Sequence, residues 1–125
     1  MVKNILLVGM GGFIGSIARY LVSHLNLSIS FHSIPVGTLI VNISGSFLIG
    51  FLTGLAEKNF LISNEWRLFL MAGVCGGFTT FSAFANENHL LFQNGMGLTV
   101  LLYTGLSIFL GFIAVYFGYV LTNLL

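Results

Sequence analysis

The sequence predicts an all-α integral membrane protein with four transmembrane helices in a single domain, and three observations lead there. Of the 125 residues, 57% are hydrophobic and 6% charged, whereas a soluble domain carries roughly a quarter charged residues to solvate its surface. Mean hydropathy is +1.03. Apolar segments at residues 5–25, 35–56, 67–89 and 96–121 use up most of the chain, and each is close to the roughly 20 residues that cross a hydrocarbon core.

The first span follows Lys3, which could belong to a signal peptide ahead of an apolar run. The stretch Gly15-Ser16-Ile17-Ala18-Arg19-Tyr20 offers no cleavage site before the span ends, so the N-terminus reads as a retained first helix. A polar stretch at residues 26–33 follows. The second span starts near Pro35, the only proline, which a first helical turn tolerates because its missing N–H had no partner there. Glu57-Lys58-Asn59 marks the bilayer edge after Ala56, and Glu65 falls in the same loop as Glu57. The third span begins at Trp66-Arg67, an interfacial aromatic and a cation, and fades near His89. The fourth needs no punctuation beyond its hydropathy.

Four spans place both termini on one side, with Lys3, Lys58 and Arg67 near one face and Arg19 near the other. Excess Lys and Arg favours the cytoplasm, so the termini read as cytoplasmic and the chain as a multi-pass protein of the cell membrane. Three cations against one is a weak bias, compatible with copies inserted the other way up.

Glycine is the second signal. Gly11/Gly15, Gly50/Gly54 and Gly73/Gly77 are Gly-xxx-Gly pairs, which let helices approach closely where no hydrophobic force drives them together. For Gly50/Gly54 tight packing is the whole reading. Gly76-Gly77, with Thr79 and Thr80 close behind, instead weakens the third helix in mid-span. Unwound backbone at that depth must be buried or must line water or an ion, so an interruption there points to function.

Composition excludes several activities. The net charge of +1 and the lack of a basic run leave nothing to hold nucleic acid. Cys75 is alone, and His24, His32 and His89 share no ligand spacing. Glu57, Glu65 and Glu87 are the only carboxylates and no two pair up, so an enzyme is not expected.

Transport is the natural reading, and the polar residues inside the spans say of what. Thr38, Asn42 and Ser46 stack on one face of the second helix, and Tyr103 and Ser107 on one face of the fourth. Thr79, Thr80 and Ser82 surround the glycine break. These groups donate hydrogen bonds without carrying charge. Ser46 reads as interhelical glue, while Asn42 reads equally as glue or as an ion contact. No carboxylate sits in mid-span, so a pump for cations lacks the group it needs. Arg19 is either a snorkelling anchor or an attractor of anions at a pore mouth. Phe78, Phe81 and Phe84 repeat every three residues, and ring edges carry partial positive charge. Neutral donors and ring edges together suggest a passage for a small anion.

Three motifs now stand in order: Gly11-Gly12-x-x-Gly15-x-x-x-Arg19-Tyr20, Thr38-Leu39-x-x-Asn42-x-x-Gly45-Ser46-Phe47, and Gly73-x-Cys75-Gly76-Gly77-Phe78-Thr79-Thr80-Phe81-Ser82-x-Phe84. With the length and layout, they closely resemble the Fluc (CrcB) fluoride channels of microorganisms. The resemblance implies an antiparallel, dual-topology dimer with two fluoride pores at its interface. It also implies a central structural sodium ion, held by backbone carbonyls that fall on Gly76 and Thr79. Pore residues carried over are Phe81, Phe84, Asn42, Tyr103 and Ser107, with Thr38, Thr80 and Ser82 as companions. Arg19 resembles a vestibule arginine, and Glu87 matches an acidic position after the third motif. The chain departs from the pattern at Ala83, where Thr is common, and at Gly111 and Val115, where further hydroxyls would continue the polar track.

The expectation is passive fluoride export by a homodimer, or by a pair of homologues, embedded in membrane lipid. Two alternatives differ in class. A small four-helix exporter of cationic compounds needs a membrane-embedded carboxylate in its first helix, and this one has none; a non-conducting accessory subunit would use the polar residues only as glue.

Overall fold

The computed structural model describes residues 1–24, 30–31, 33–58 and 62–125. Leu25, residues 26–29 of the polar stretch, His32 and the edge marker Asn59 lie outside the described residues. The chain folds as α1 (Val2–Ser23), a short hairpin of β1 (Ser30–Phe31) and β2 (Ile34–Pro35), and α2 (Val36–Glu57). Then come α3 (Asn64–Arg67), which runs into a π-helix (Leu68–Cys75), α4 (Gly76–Phe78), α5 (Phe81–Gln93), α6 (Gly97–Leu121) and a closing 3-10 turn (Thr122–Leu124). Four segments, Val2–Ser23, Val36–Glu57, Asn64–Gln93 and Gly97–Leu124, are long and apolar enough to cross a membrane. This is a multi-pass membrane protein.

Local chemistry explains most of the boundaries. Pro35 lies in β2 and precedes α2 rather than sitting in its first turn, with φ −71°. Ser63 caps α3 by accepting a hydrogen bond from the Trp66 N–H at 3.4 Å. Glu57 is the last residue of α2 and Glu65 lies in the first turn of α3, so both carboxylates are helical and not in the loop assigned to them from sequence. The hairpin pairs Ser30 with Pro35 and Phe31 with Ile34. Its turn holds Ser33 at φ 64°, left-handed backbone that costs a non-glycine residue roughly 1–2 kcal/mol.

α5 ends in a Schellman motif. The Met96 N–H donates to the Leu91 carbonyl and the Gly95 N–H to the Phe92 carbonyl, both at 3.0 Å, with Gly95 at φ 73°. Leu91 is buried and Met96 packs against the same small core beside Ile34 and Tyr103. Gly95→Ala is expected to lower stability by about 1 kcal/mol, read as a lower unfolding temperature in detergent.

The helices associate in two parallel pairs. α1 packs along the π-helix and α4, and α2 along α6. In the first pair a Cβ on Gly15 would strike the Val74 carbonyl, and it would lie 2.8 Å from the Phe78 nitrogen. In the second, a Cβ on Gly50 would strike the Val115 carbonyl and stand 2.9 Å from the Val115 Cα. Small residues thus serve as contact points for backbone against backbone, as membrane helices require.

One end of the bundle collects most of the charge. Lys3 pairs with Glu65, both exposed, and the Tyr119 hydroxyl donates to Glu57 at 2.6 Å. Lys58 donates to the Thr122 carbonyl and Arg67 to the Ala56 carbonyl, so cations cap the C-terminal ends of α6 and α2, where the helix dipole favours them. Many large apolar side chains face outward, including Phe112 (75% exposed), Leu101 (72%) and Phe13 (69%). That surface is suited to lipid or protein rather than water.

Candidate functional site

The site forms where the third span loses its helix. α4 ends at Phe78, and the next two residues are extended: Thr79 at ψ 155° and Thr80 at φ −149°, ψ 124°. Thr79 still holds the helix behind it, since its N–H and its hydroxyl both donate to the Cys75 carbonyl, at 3.0 and 2.9 Å. Thr80 starts the helix ahead of it by accepting from the Ala83 N–H at 3.2 Å.

Backbone groups released at bilayer depth need partners, and Asn42 on α2 supplies them to Thr80. Its Nδ2 donates to the Thr80 carbonyl at 3.1 Å, and its Oδ1 accepts from the Thr80 N–H at 2.9 Å. The amide pairs with the strand-like residue as a neighbouring peptide would. This arrangement diverts two donors. The Thr80 N–H would close an α-helical bond onto the Gly76 carbonyl, and the Ala83 N–H onto the Thr79 carbonyl; they go to Asn42 and to the Thr80 hydroxyl instead. Gly76 and Thr79 therefore present hard carbonyl oxygens, the donor type that suits an alkali cation. They fit the sodium ion that the sequence resemblance implies.

An open cavity of about 470 Å³ adjoins the break, lined by Asn42, Thr80, Phe81, Phe84 and Ser107. Gly76, Thr79, Cys75 and Ser46 face it as well, and no charged side chain among the described residues does. The Ser107 hydroxyl is buried without a hydrogen-bond partner among the described residues. The rings of Phe81 and Phe84 lie 5.9 Å apart, and Phe84 lies 5.1 Å from Tyr103. Phe81 is 79% exposed in the single chain, so its ring is available to a neighbouring molecule.

The remaining sequence candidates fall elsewhere. Thr38 and Tyr103 are buried and do not line the cavity. Their hydroxyls converge on Glu87, at 2.6 and 2.7 Å, beside Phe84. Glu87 lies within α5 and is the hub of this cluster; only its match to a family position marked it in the sequence. Ser82 is exposed and lies 3.4 Å from the Thr80 hydroxyl. Arg19 is half-buried near the end of α1 and does not line the cavity. Ser46, which the sequence assigns to interhelical glue, instead lines the cavity.

Comparison with known proteins adds an independent finding. Residues 6–119 match the family model described as CrcB-like protein, Camphor Resistance (CrcB). The chain is 46% identical over 123 residues to a protein of Azobacteroides pseudotrichonymphae genomovar. CFP2 named fluoride-specific ion channel FluC, covering 98% of each. A protein of the same name from Chlorobium chlorochromatii (strain CaD3) is 50% identical over 115 residues, covering 92% of this chain and 88% of the relative. Another from Flavobacterium psychrophilum is 40% identical over 121 residues, covering 97% and 98%.

Proposed function

Because the chain belongs to the CrcB-like protein family, we propose that it is a fluoride channel that lets the ion leave a cell passively and so lowers cytoplasmic fluoride. The relatives are named fluoride-specific channels, and the observation that carries the reading to this molecule is the cavity wall. It offers an amide, hydroxyls and aromatic rings and, among the described residues, no formal charge. A fixed cation would hold a small anion tightly, whereas several weaker neutral contacts replace its water and still release it. Fluoride accumulates when neutral HF crosses from acidic surroundings and ionises inside, so a passive path suffices to remove it.

The finer features of the proposal concern assembly. Two copies, inverted relative to each other, form two pores along their interface, and the Phe81 ring supports this by being exposed in the single chain, open to a neighbouring copy. The Gly76 and Thr79 carbonyls of both copies would hold a structural sodium ion. When bound it supplies positive charge that ties down backbone no lipid can satisfy. Asn42 holds the break open, and Ser107 contributes a hydroxyl to the anion. Phe81 and Phe84 present ring edges, while Arg19 attracts anions at a mouth. The cluster of Glu87, Thr38 and Tyr103 fixes the ring of Tyr103 behind Phe84.

Liposomes loaded with potassium fluoride and given a potassium ionophore test this. Fluoride is expected to leave only when the protein is present, and chloride far more slowly; equal rates for both anions reject fluoride selectivity. An exporter of cationic compounds or an accessory subunit leaves the fluoride inside. Phe81→Ile and Phe84→Ile are each expected to cut efflux about tenfold with the dimer intact, because each removes one ring edge that steadies the anion at the barrier.

A further inference from the structure

Two features of α2 and α6 take no part in the channel as proposed above. The first concerns hydroxyls on α2. Ser44 and Thr53 turn back on their own helix, donating to the Ile40 carbonyl at 2.6 Å and the Ile49 carbonyl at 2.8 Å. Such back-bonding is the usual fate of a hydroxyl in a helix. Ser46 makes no hydrogen bond to any described residue, and it lines the same cavity as Ser107. The second concerns α6. One helical turn beyond Ser107 stands Gly111, and a Cβ built there would lie 3.7 Å from the Ser46 Oγ. Ser46 therefore stands beside the spot on α6 where a hydroxyl at position 111 would project.

We propose that Ser46 supplies the hydrogen-bond contact that follows Ser107 along the anion's path, so that the path crosses from α6 to α2 where Gly111 carries no side chain. The inference rests on the fluoride-channel reading. An anion leaving the Ser107 hydroxyl needs another donor within reach, because a bare stretch of apolar wall is a barrier to a strongly hydrated ion. Ile108 and Ile49 offer none. Ser46 is unengaged and its hydroxyl rotates freely to present its proton. Gly111 makes this possible, since its missing side chain leaves Ser46 uncovered.

The test moves the hydroxyl from one helix to the other. Fluoride efflux from liposomes is compared for the unmodified protein, Ser46→Ala, and the double variant Ser46→Ala/Gly111→Ser. The space at Gly111 accepts a Cβ at ordinary contact distance, so serine fits there. Ser46→Ala is expected to slow efflux about tenfold, the factor for one hydrogen bond to a charged partner. The double variant is expected to recover most of the loss, which a purely structural serine does not predict. Efflux from Ser46→Ala within about twofold of the unmodified protein overturns the proposal, and so does a loss that Gly111→Ser fails to recover. A failure of the unmodified protein to conduct fluoride is a different result, and it rejects the channel reading itself.

Discussion

Asn42→Leu is expected to destabilise the protein by about 2–6 kcal/mol, because it strands the N–H and the carbonyl of Thr80 at once. Each buried backbone group left without a partner costs roughly 1–3 kcal/mol, and at bilayer depth no water arrives to replace the amide. Leucine keeps the bulk and removes only the polar atoms, so packing is not the variable. The measurement is the unfolding temperature in detergent together with the monodisperse fraction on size exclusion. Asn42→Asp serves as the control. At bilayer depth its carboxyl is protonated, so it keeps an acceptor for the Thr80 N–H and an O–H donor for the Thr80 carbonyl, and its loss should be smaller than that of Asn42→Leu. Equal stability of Asn42→Leu and the unmodified protein means that the break is held by something other than this amide.

Gly50→Ala is the second large effect, and its sign is what makes it informative. Alanine is the better helix former by about 1 kcal/mol, so an isolated helix gains from the change. Here the added methyl runs into the Val115 carbonyl, with the Val115 Cα 2.9 Å away. Backbone cannot swing aside as a flexible side chain does. The pair α2 and α6 has to move apart, at a cost of about 1–3 kcal/mol for overpacking. Gly9 is the matched case, because a Cβ there meets nothing within 4 Å. Gly9→Ala is expected to hold or raise the unfolding temperature, and Gly50→Ala to lower it.

The sequence makes some of this legible and hides the rest for identifiable reasons. Four membrane-length helices follow from hydropathy alone, since segments such as the one around Leu101 and Phe112 suit no aqueous structure. The face shared by Thr38, Asn42 and Ser46 is legible from their four-residue spacing. Their destinations are not, because each depends on what lies opposite at a different depth. Thr38 reaches Glu87, Asn42 reaches the backbone of Thr80, and Ser46 reaches the cavity. Nothing in the spacing of Glu87 shows that it collects two buried hydroxyls from α2 and α6, because that meeting is made by the fold.

Helix partners are hidden in the same way. The glycine pairs announce close contacts without saying with which helix. The π-winding of Leu68–Cys75 leaves no trace either, since a run of Leu, Phe, Met, Ala, Gly, Val and Cys carries no polar marker to betray its period. The hairpin turn is concealed because Ser33 adopts left-handed backbone without the Gly or Asn that usually signals it.

The pairing of α2 with α6 also has a consequence for biogenesis. During synthesis α2 is released into the bilayer while its partner has yet to be translated, so its glycine face waits against lipid or beside a temporary neighbour. The interlock closes only when α6 has left the ribosome exit tunnel. Up to that moment the glycine face of α2 is unpaired, whereas Asn42 and the extended Thr80 it holds are already together in the membrane.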